Sequence, residues 1–346
     1  MPARRAAHRA PPPRAAADPV GPVEWLLDPA QPAVRYLALR ELLGRPEGDP
    51  EVREARARIP NAGWVAGLLG ECDPGGWWGA KESFYRPKYV STHWKMLVLA
   101  DLGASAATPA VRRSCELWMD GFPLRGGGVG GITSMGTGHL CVVGNMARAL
   151  IRMGYVDDPR VARSMEWLAA AANPLGGWSC FGRGRNLDSW EALAAFAAYP
   201  RDRWNSAMAR AVERGVEFYL ERELHRQGAR YDPWYRYHYP VHYYYDLLVG
   251  LDLVTSLGTT TDPRLGFALD HLRSRRRADG RWNLDAVHPD VDGAMARWFR
   301  DHPQQRPVPF ALEAPDAPSR MITLRALGVL RRVEGPAAWR AAGAET

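Results

Sequence analysis

From about residue 20 onward the chain alternates two kinds of apolar pattern. In the first kind, apolar residues recur at helical spacing and leave one polar face, as in Val161-Ala162-Arg163-Ser164-Met165-Glu166-Trp167-Leu168. In the second, the segment is apolar around most of its circumference: 94–100, 141–153, 190–198, 243–257 and 321–333, with 33–40 ahead of them. A helix with one polar face lies at a surface, whereas a helix apolar on nearly all sides must be covered by several neighbours. The alternation therefore predicts outer and inner helices in pairs.

Punctuation marks the same unit. Asp49-Pro50, Thr108-Pro109, Asp158-Pro159 and Asp262-Pro263 each read as a helix start, with a degenerate member near Pro200. The cap oxygen takes an orphan N–H, and proline at the first helical position has none to lose. Glycine-rich loops, often with tryptophan, separate the two helices of a pair: Gly75-Gly76-Trp77-Trp78-Gly79, Gly126-Gly127-Gly128, Gly176-Gly177-Trp178 and Asp279-Gly280-Arg281-Trp282. A repeat of this size cannot bury its own apolar face and must stack on its neighbours. The expected fold is all-α, an (α/α)6-type toroid of outer and inner helices around a central cavity, with an open solenoid as its rival. The toroid is expected over 20–335, between a disordered Ala/Pro/Arg tail at 1–19 and a short tail at 336–346.

Composition narrows the function more than the fold. Fourteen tryptophans exceed what a core of 346 residues requires. The net charge is +7, and four arginines of the first 18 residues supply much of it. The dense run Arg273, Arg275, Arg276, Arg277 and Arg281 comes with no nucleic-acid-binding motif and reads as a solvated helix end, so no nucleic acid is expected. No apolar run approaches the roughly 20 residues of a membrane span, and no secretory h-region opens the chain; the expectation is a cytoplasmic protein without a transmembrane segment. Cys72, Cys115, Cys141 and Cys180 form no CxxC pair and read as thiols, with a shared metal site as the sharper alternative. The glycine-rich stretch 126–138 lacks the Gly-Lys-Ser/Thr ending of a P-loop and follows a helix; it reads as a long loop or a lid.

The alternation and its Gly-Trp loops resemble the repeat of the terpenoid cyclase and protein prenyltransferase superfamily, which includes squalene–hopene cyclases and prenyltransferase β subunits. The resemblance spans roughly 23–333. It is closer still to stand-alone bacterial squalene-cyclase-like proteins, through Val23-Glu24-Trp25-Leu26-Leu27-Asp28, Pro32-Ala33-Val34-Arg35-Tyr36, Leu99-Ala100-Asp101-Leu102-Gly103, Cys141-Val142-Val143-Gly144-Asn145 and Ile322-Thr323-Leu324-Arg325-Ala326-Leu327. The resemblance implies a toroid and an apolar, isoprenoid-like substrate. Two departures weigh on the reaction. The Asp-x-Asp-Asp acid motif of the cyclases is reduced here to Asp290-Val291-Asp292-Gly293, and a single toroid matches a prenyltransferase β subunit, whose partner is a separate helical chain. A protein partner or a homo-oligomer is the corresponding expectation.

The expected inner-helix starts carry Thr92, His93 and Trp94; His139 and Cys141; Asp188 and Trp190; Tyr239, His242 and Tyr243; and Arg320. Aromatic faces stabilise a cation, so Trp94, Trp190, Trp234, Tyr239 and Tyr243 are the expected substrate-binding residues. A protonating acid must be kept neutral by burial; Asp188 is the expected acid, with His93 and His242 as further catalytic candidates and an N-cap as the plain alternative for Asp188. The superfamily resemblance also implies zinc, as prenyltransferase β subunits use Asp-x-Cys with a later His. His139-Leu140-Cys141, Cys180 and His242 would supply such a Zn2+ set, although His242 lies one repeat too far along. The functions that follow are a terpene cyclase-like enzyme acting in the cavity; alternatively, a non-catalytic lipid-, prenyl- or partner-binding toroid; and last, a sugar-active barrel using Asp188 and Glu191.

Overall fold

A computed structural model describes residues 21–132, 137–180, 189–227, 230–289, 291 and 295–341. The tail at 1–19 and the residues Asp188, Asp290 and Asp292 lie outside them. Among the described residues the chain is helical apart from two short antiparallel hairpins, β1 (Pro123–Leu124) with β2 (Gly128–Val129) and β3 (Gly131–Ile132) with β4 (Thr137–Gly138). The stretch expected as a loop or lid thus contains hairpin pairing.

The short helix α1 (Pro22–Leu26) leads into α2 (Pro32–Leu37), which continues as a π-helical turn over Ala38–Leu42. Helices α3 (Pro50–Arg58), α6 (Pro109–Gly121), α8 (Pro159–Ala170), α10 (Ser206–Leu220) and α12 (Gly266–Ser274) keep a polar face, whereas α4 (Gly63–Gly70) has no polar side chain and turns glycines outward. Helices α5 (Thr92–Asp101), α7 (Leu140–Met153), α9 (Glu191–Ala198), α11 (Leu247–Ser256) and α14 (Arg320–Ala341) carry the nearly all-apolar segments. Every residue of α5 is buried. Helix α13 (Ala296–Asp301) stands in the long connection before α14.

The proline-led starts hold with one exception. Asp49, Asp158 and Asp262 accept backbone N–H bonds from the first turn that follows, whereas Thr108 makes no side-chain cap bond. Near Pro200 the chain forms only a 3-10 turn, and α10 is capped instead by Asn205. The expected inner helix at 243–257 begins four residues late, because Asp246 caps it and accepts the Val249 N–H at 2.8 Å. Helix α14 runs past residue 335, broken at Gly335, and buries Trp339.

The Gly-Trp loops have one physical rationale, repeated three times. The indole N–H of Trp78 donates to the Leu68 carbonyl at 2.9 Å, that of Trp178 to Leu168 at 2.9 Å, and that of Trp282 to Leu272 at 2.8 Å. Each tryptophan is buried and closes the C-terminal end of an outer helix, whose last carbonyls lack helical partners. The turn before it needs a left-handed residue, supplied by Gly76, Gly176 and Gly280 at φ of 103°, 93° and 79°. Much of the tryptophan excess is therefore structural.

Packing follows the pairing. Helix α5 packs on α7, α7 on α9, α9 on α11, and α11 on α14; α14 in turn contacts α2 and its π-helical extension. One apolar cluster extends from Val23 to Trp339. The basic run at the end of α12 is largely paired on the surface, Arg273 with Asp270 and Glu334, Arg275 with Asp285, and Arg277 with Asp279.

Candidate functional site at the starts of the inner helices

The segment between α10 and α11 folds across the N-terminal ends of α7 and α9. Tyr231, Trp234, Tyr243, Tyr244 and Tyr245 line a cavity of about 310 Å3 there, together with Pro233, Pro289, Cys141, Cys180, Ser189 and Glu191. Its apolar wall is aromatic and its polar edge consists of two thiols, a hydroxyl and a carboxyl. Glu191 is 1% exposed and belongs to the first turn of α9. It is held close to α7 because Gly144 lets the two backbones meet: a Cβ at Gly144 would stand 2.6 Å from the Ala192 nitrogen and 2.7 Å from the Glu191 carbonyl oxygen.

Cys141 and Cys180 come together at this edge. The Cys141 N–H donates to the Cys180 sulfur at 3.0 Å, and the two thiols hydrogen-bond one another. That bond, then burial, pushes the Cys141 thiol well above its usual range; the nearby Glu191 charge adds to the shift and Lys88 opposes it. An ordinary thiol is the stable form here, not a reactive thiolate.

Behind this wall lies a buried cluster of imidazoles and phenols. Tyr89 stacks on His242 and on His288, with ring centroids 4.7 and 3.9 Å apart. Its hydroxyl bonds those of Tyr243 and Tyr244 at 2.9 and 2.8 Å. Trp94 meets His93, His242 and Tyr89 edge to face. The Lys88 ammonium sits over the rings of Tyr243, Trp94 and Tyr85 at 4.6, 5.6 and 5.6 Å. Several of the expected cation-stabilising faces are therefore directed at a cation of the protein itself.

This setting keeps the histidines neutral. Burial, followed by Lys88, lowers His93 to about 3, and burial, followed by His238, lowers His288 to about 3. His242 is driven down by burial and then by His288, His93, His238 and Lys88. Neither of its ring nitrogens has a hydrogen-bond partner among the described residues. An acid role for His93 or His242 near neutrality does not fit this environment.

The expected residues therefore divide. Tyr243 and Trp234 line the aromatic cavity. Trp94 is 1% exposed, donates to the Tyr85 carbonyl at 2.8 Å and packs in the cluster behind the cavity. Tyr239 is buried under the Arg325 guanidinium, 5.5 Å away. Trp190 donates to the Tyr243 carbonyl at 3.4 Å and faces a different cavity on its other side. Asp188 is outside the described residues, and Trp190 stands at the N-cap position of α9. The zinc expectation fares similarly. Cys141 and Cys180 meet, His139 stands at the N-cap position of α7 without a side-chain cap bond, and His242 belongs to the histidine cluster. Among the described residues no three His, Cys, Asp or Glu side chains assemble as a metal set.

Lys88, Tyr89 and His288 were not anticipated. They come from loops without repeat character, where sequence periodicity carries no signal. No helix among the described residues is long and apolar enough to cross a membrane. Comparison with known proteins finds no family model that matches this chain and no curated protein that matches it.

Proposed function

We propose that the helices close into an α/α toroid of the terpenoid cyclase and prenyltransferase type, and that the aromatic cavity takes an apolar, isoprenoid-like ligand. The return of α14 onto α2 supports closure. The observation that carries the ligand is the joining of five aromatic rings to a single polar edge in a space of about 310 Å3. That volume lies at the lower end of the roughly 300–1,000 Å3 of small-molecule sites. It suits a short isoprenoid or one end of a longer one.

The reaction we propose is cyclase-like, with a carboxyl at the polar edge acting on the ligand and the tyrosine faces stabilising positive charge. Glu191 is the described carboxyl placed for this, beside the expected Asp188 in sequence. A non-catalytic binding role is the second reading, and one observation favours it: Glu191 lies within electrostatic reach of the Arg148 guanidinium, and a nearby cation favours the charged form of a carboxyl over the protonated form an acid step needs.

Native mass spectrometry of the purified chain, followed by incubation with acyclic isoprenoids of 10 to about 20 carbons, separates these readings. Under the enzyme reading, products form, and Glu191→Gln abolishes turnover while ligand remains bound. Bound isoprenoid with no product in the wild type leaves the binding role. No bound isoprenoid in the wild type, with unchanged Tyr244→Leu behaviour, overturns the cavity assignment.

A further inference from the structure

The four cysteines have unlike surroundings, and two of them face each other. Cys115 is buried with its sulfur 3.5 Å from that of Met153, and burial pushes its thiol up to about 12. Cys72 stands beside Ser114 of α6, at 3.9 Å. Cys141 and Cys180 are both half-buried, and their thiols hydrogen-bond at the edge of the aromatic cavity. They lie 39 residues apart in the chain, so the fold and not a local turn brings them together.

The start of α7 makes the two sulfurs unequal. The first N–H groups of this 14-residue helix have no helical acceptor, and its N-cap residue, His139, makes no side-chain cap bond. The Cys180 sulfur serves one of them instead, accepting the Cys141 N–H at 3.0 Å. Cys180 is itself fixed by its own N–H, which donates to the Oγ of the buried Ser189 at 3.2 Å. The first turn of a helix favours negative charge on an atom held there, and thiols in that position are the nucleophilic ones. Cys180 is therefore the sulfur of the pair placed to attack, with the second thiol beside it on Cys141. The reach suffices for a bond. The 3.0 Å contact holds the two Cα atoms within about 7 Å of each other, and disulfides span up to about 6.8 Å.

We infer that Cys180 and Cys141 form a dithiol–disulfide couple at the edge of the aromatic cavity, with Cys180 as the attacking sulfur, Cys141 as the resolving one and a small disulfide as the oxidant. Cys180, having lost its proton to water, attacks one sulfur of the oxidant R–S–S–R. A Cys180–S–S–R bond forms, the bond within the oxidant breaks, and the departing thiolate takes up a proton. The Cys141 sulfur then attacks Cys180, its proton goes to the second leaving thiolate, and the Cys141–Cys180 bond closes. Two electrons pass from the protein thiols to the oxidant, and two R–SH molecules leave per chain. The aromatic wall of Trp234, Tyr243 and Tyr244 admits an oxidant with a small, uncharged body. The new bond ties the start of α7 to the chain ahead of α9, and reduction releases it. The couple rests on the thiols alone, so it stands whether or not the cavity takes an isoprenoid.

The test treats the reduced full chain, freed of reductant under nitrogen, with 2-hydroxyethyl disulfide. The reaction is quenched with iodoacetamide in denaturant, and the cysteines are mapped by mass spectrometry. The expected product is one Cys141–Cys180 disulfide per chain, with Cys72 and Cys115 alkylated, two mercaptoethanol molecules released, and full reversal by dithiothreitol. Cys141→Ser should stop at a mixed disulfide on Cys180, whereas Cys180→Ser should slow modification of Cys141 at least tenfold relative to that step. If either variant does not fold, the map of the wild-type chain decides. The assignment is overturned if the wild type keeps all four thiols, or if adducts accumulate on it without a Cys141–Cys180 bond. It is equally overturned if Cys141 in Cys180→Ser reacts as fast as Cys180 in Cys141→Ser. Reaction of the pair only after a chelator is added would also overturn it, since the thiols would then be metal ligands.

Discussion

The two ends of the inner helices solve opposite electrostatic problems. At the N-terminal ends, imidazoles, phenols and thiols are buried together, and their environment removes charge: His93, His242 and His288 are held neutral and the Cys141 thiol is held protonated. At the C-terminal ends, charge is retained and arranged, with Asp101 inside a fork of three arginines. The difference follows from the side chains. Imidazole and thiol titrate near neutrality and can discard their charge at small cost, whereas arginine cannot, so burying it demands a partner.

Acid should separate the two ends most strongly. The three histidines have folded-state pKa values below the ordinary 6.5 or so, so the unfolded chain binds protons that the fold refuses. Their contribution is complete above pH 6.5 and is lost as pH falls from 6.5 toward 3. Each of His93 and His288 costs about 1.4 kcal/mol per pH unit below 6.5, so these two together remove about 4 kcal/mol by pH 5, and His242 acts in the same direction. Urea midpoints measured from pH 7.5 to 5 should fall steeply below 6.5. A flat profile would mean that the histidine cluster is open to water. The arginine end contributes nothing to this slope from its guanidinium groups.

Removing one charge at the other end comes next. Asp101→Asn keeps shape and leaves Arg148, Arg152 and Arg325 without their shared carboxylate. Breaking a buried pair from one side costs about 3–5 kcal/mol. Denaturant unfolding at pH 7.5 measures it. A loss below about 1 kcal/mol would show the arginines to be solvated.

Gly144→Ala probes how the aromatic cavity is built. The added methyl would meet the backbone of Glu191 and Ala192, and neither can move without shifting α9. Overpacking of this kind costs about 1–3 kcal/mol. Because α9 carries Glu191 and follows Trp190, binding of an apolar fluorescent probe in the cavity should weaken as well, while the destabilisation caused by Asp101→Asn at the arginine end should be unchanged. Equal losses at both ends would show them to be coupled through Trp190.

How much of this was legible in the sequence depended on which pattern each residue belonged to. The outer and inner helices followed from apolar periodicity, and the loop tryptophans from their recurrence beside glycine. Tyr243 and Trp234 followed from the aromatic density of one segment. The start of α11 was misplaced because Tyr243, Tyr244 and Tyr245 continue the apolar pattern backwards, whereas Asp246 ends it by capping. The arginine cluster around Asp101 was missed although its signal is present. Asp101, Arg148, Arg152, Asp252 and Arg325 each interrupt a helix that is otherwise apolar, and Asp101 and Arg148 are buried there. Periodicity averages over single interruptions, so they passed as noise. Tyr89, Lys88 and His288 had no signal, because their meeting depends on loops brought together only by the fold.

The smallest expected effect tests whether the tyrosine hydroxyls or the rings matter at the aromatic end. Tyr243→Phe retains the ring that lines the cavity and lies beneath Lys88, but removes the hydroxyl that meets Tyr89 at 2.9 Å and Lys88 at 3.4 Å. Tyr89 keeps its bond to Tyr244 at 2.8 Å, so no phenol of the cluster is stranded. Two hydrogen bonds are then lost, the longer one weak, worth about 1–2 kcal/mol together. Affinity for an apolar probe should stay within twofold of the wild type, since the aromatic face is unchanged, whereas Tyr243→Leu should weaken it. If Tyr243→Phe instead abolishes probe binding, the hydroxyl network sets the shape of the cavity, and the aromatic end is organised by polar bonds as firmly as the arginine end.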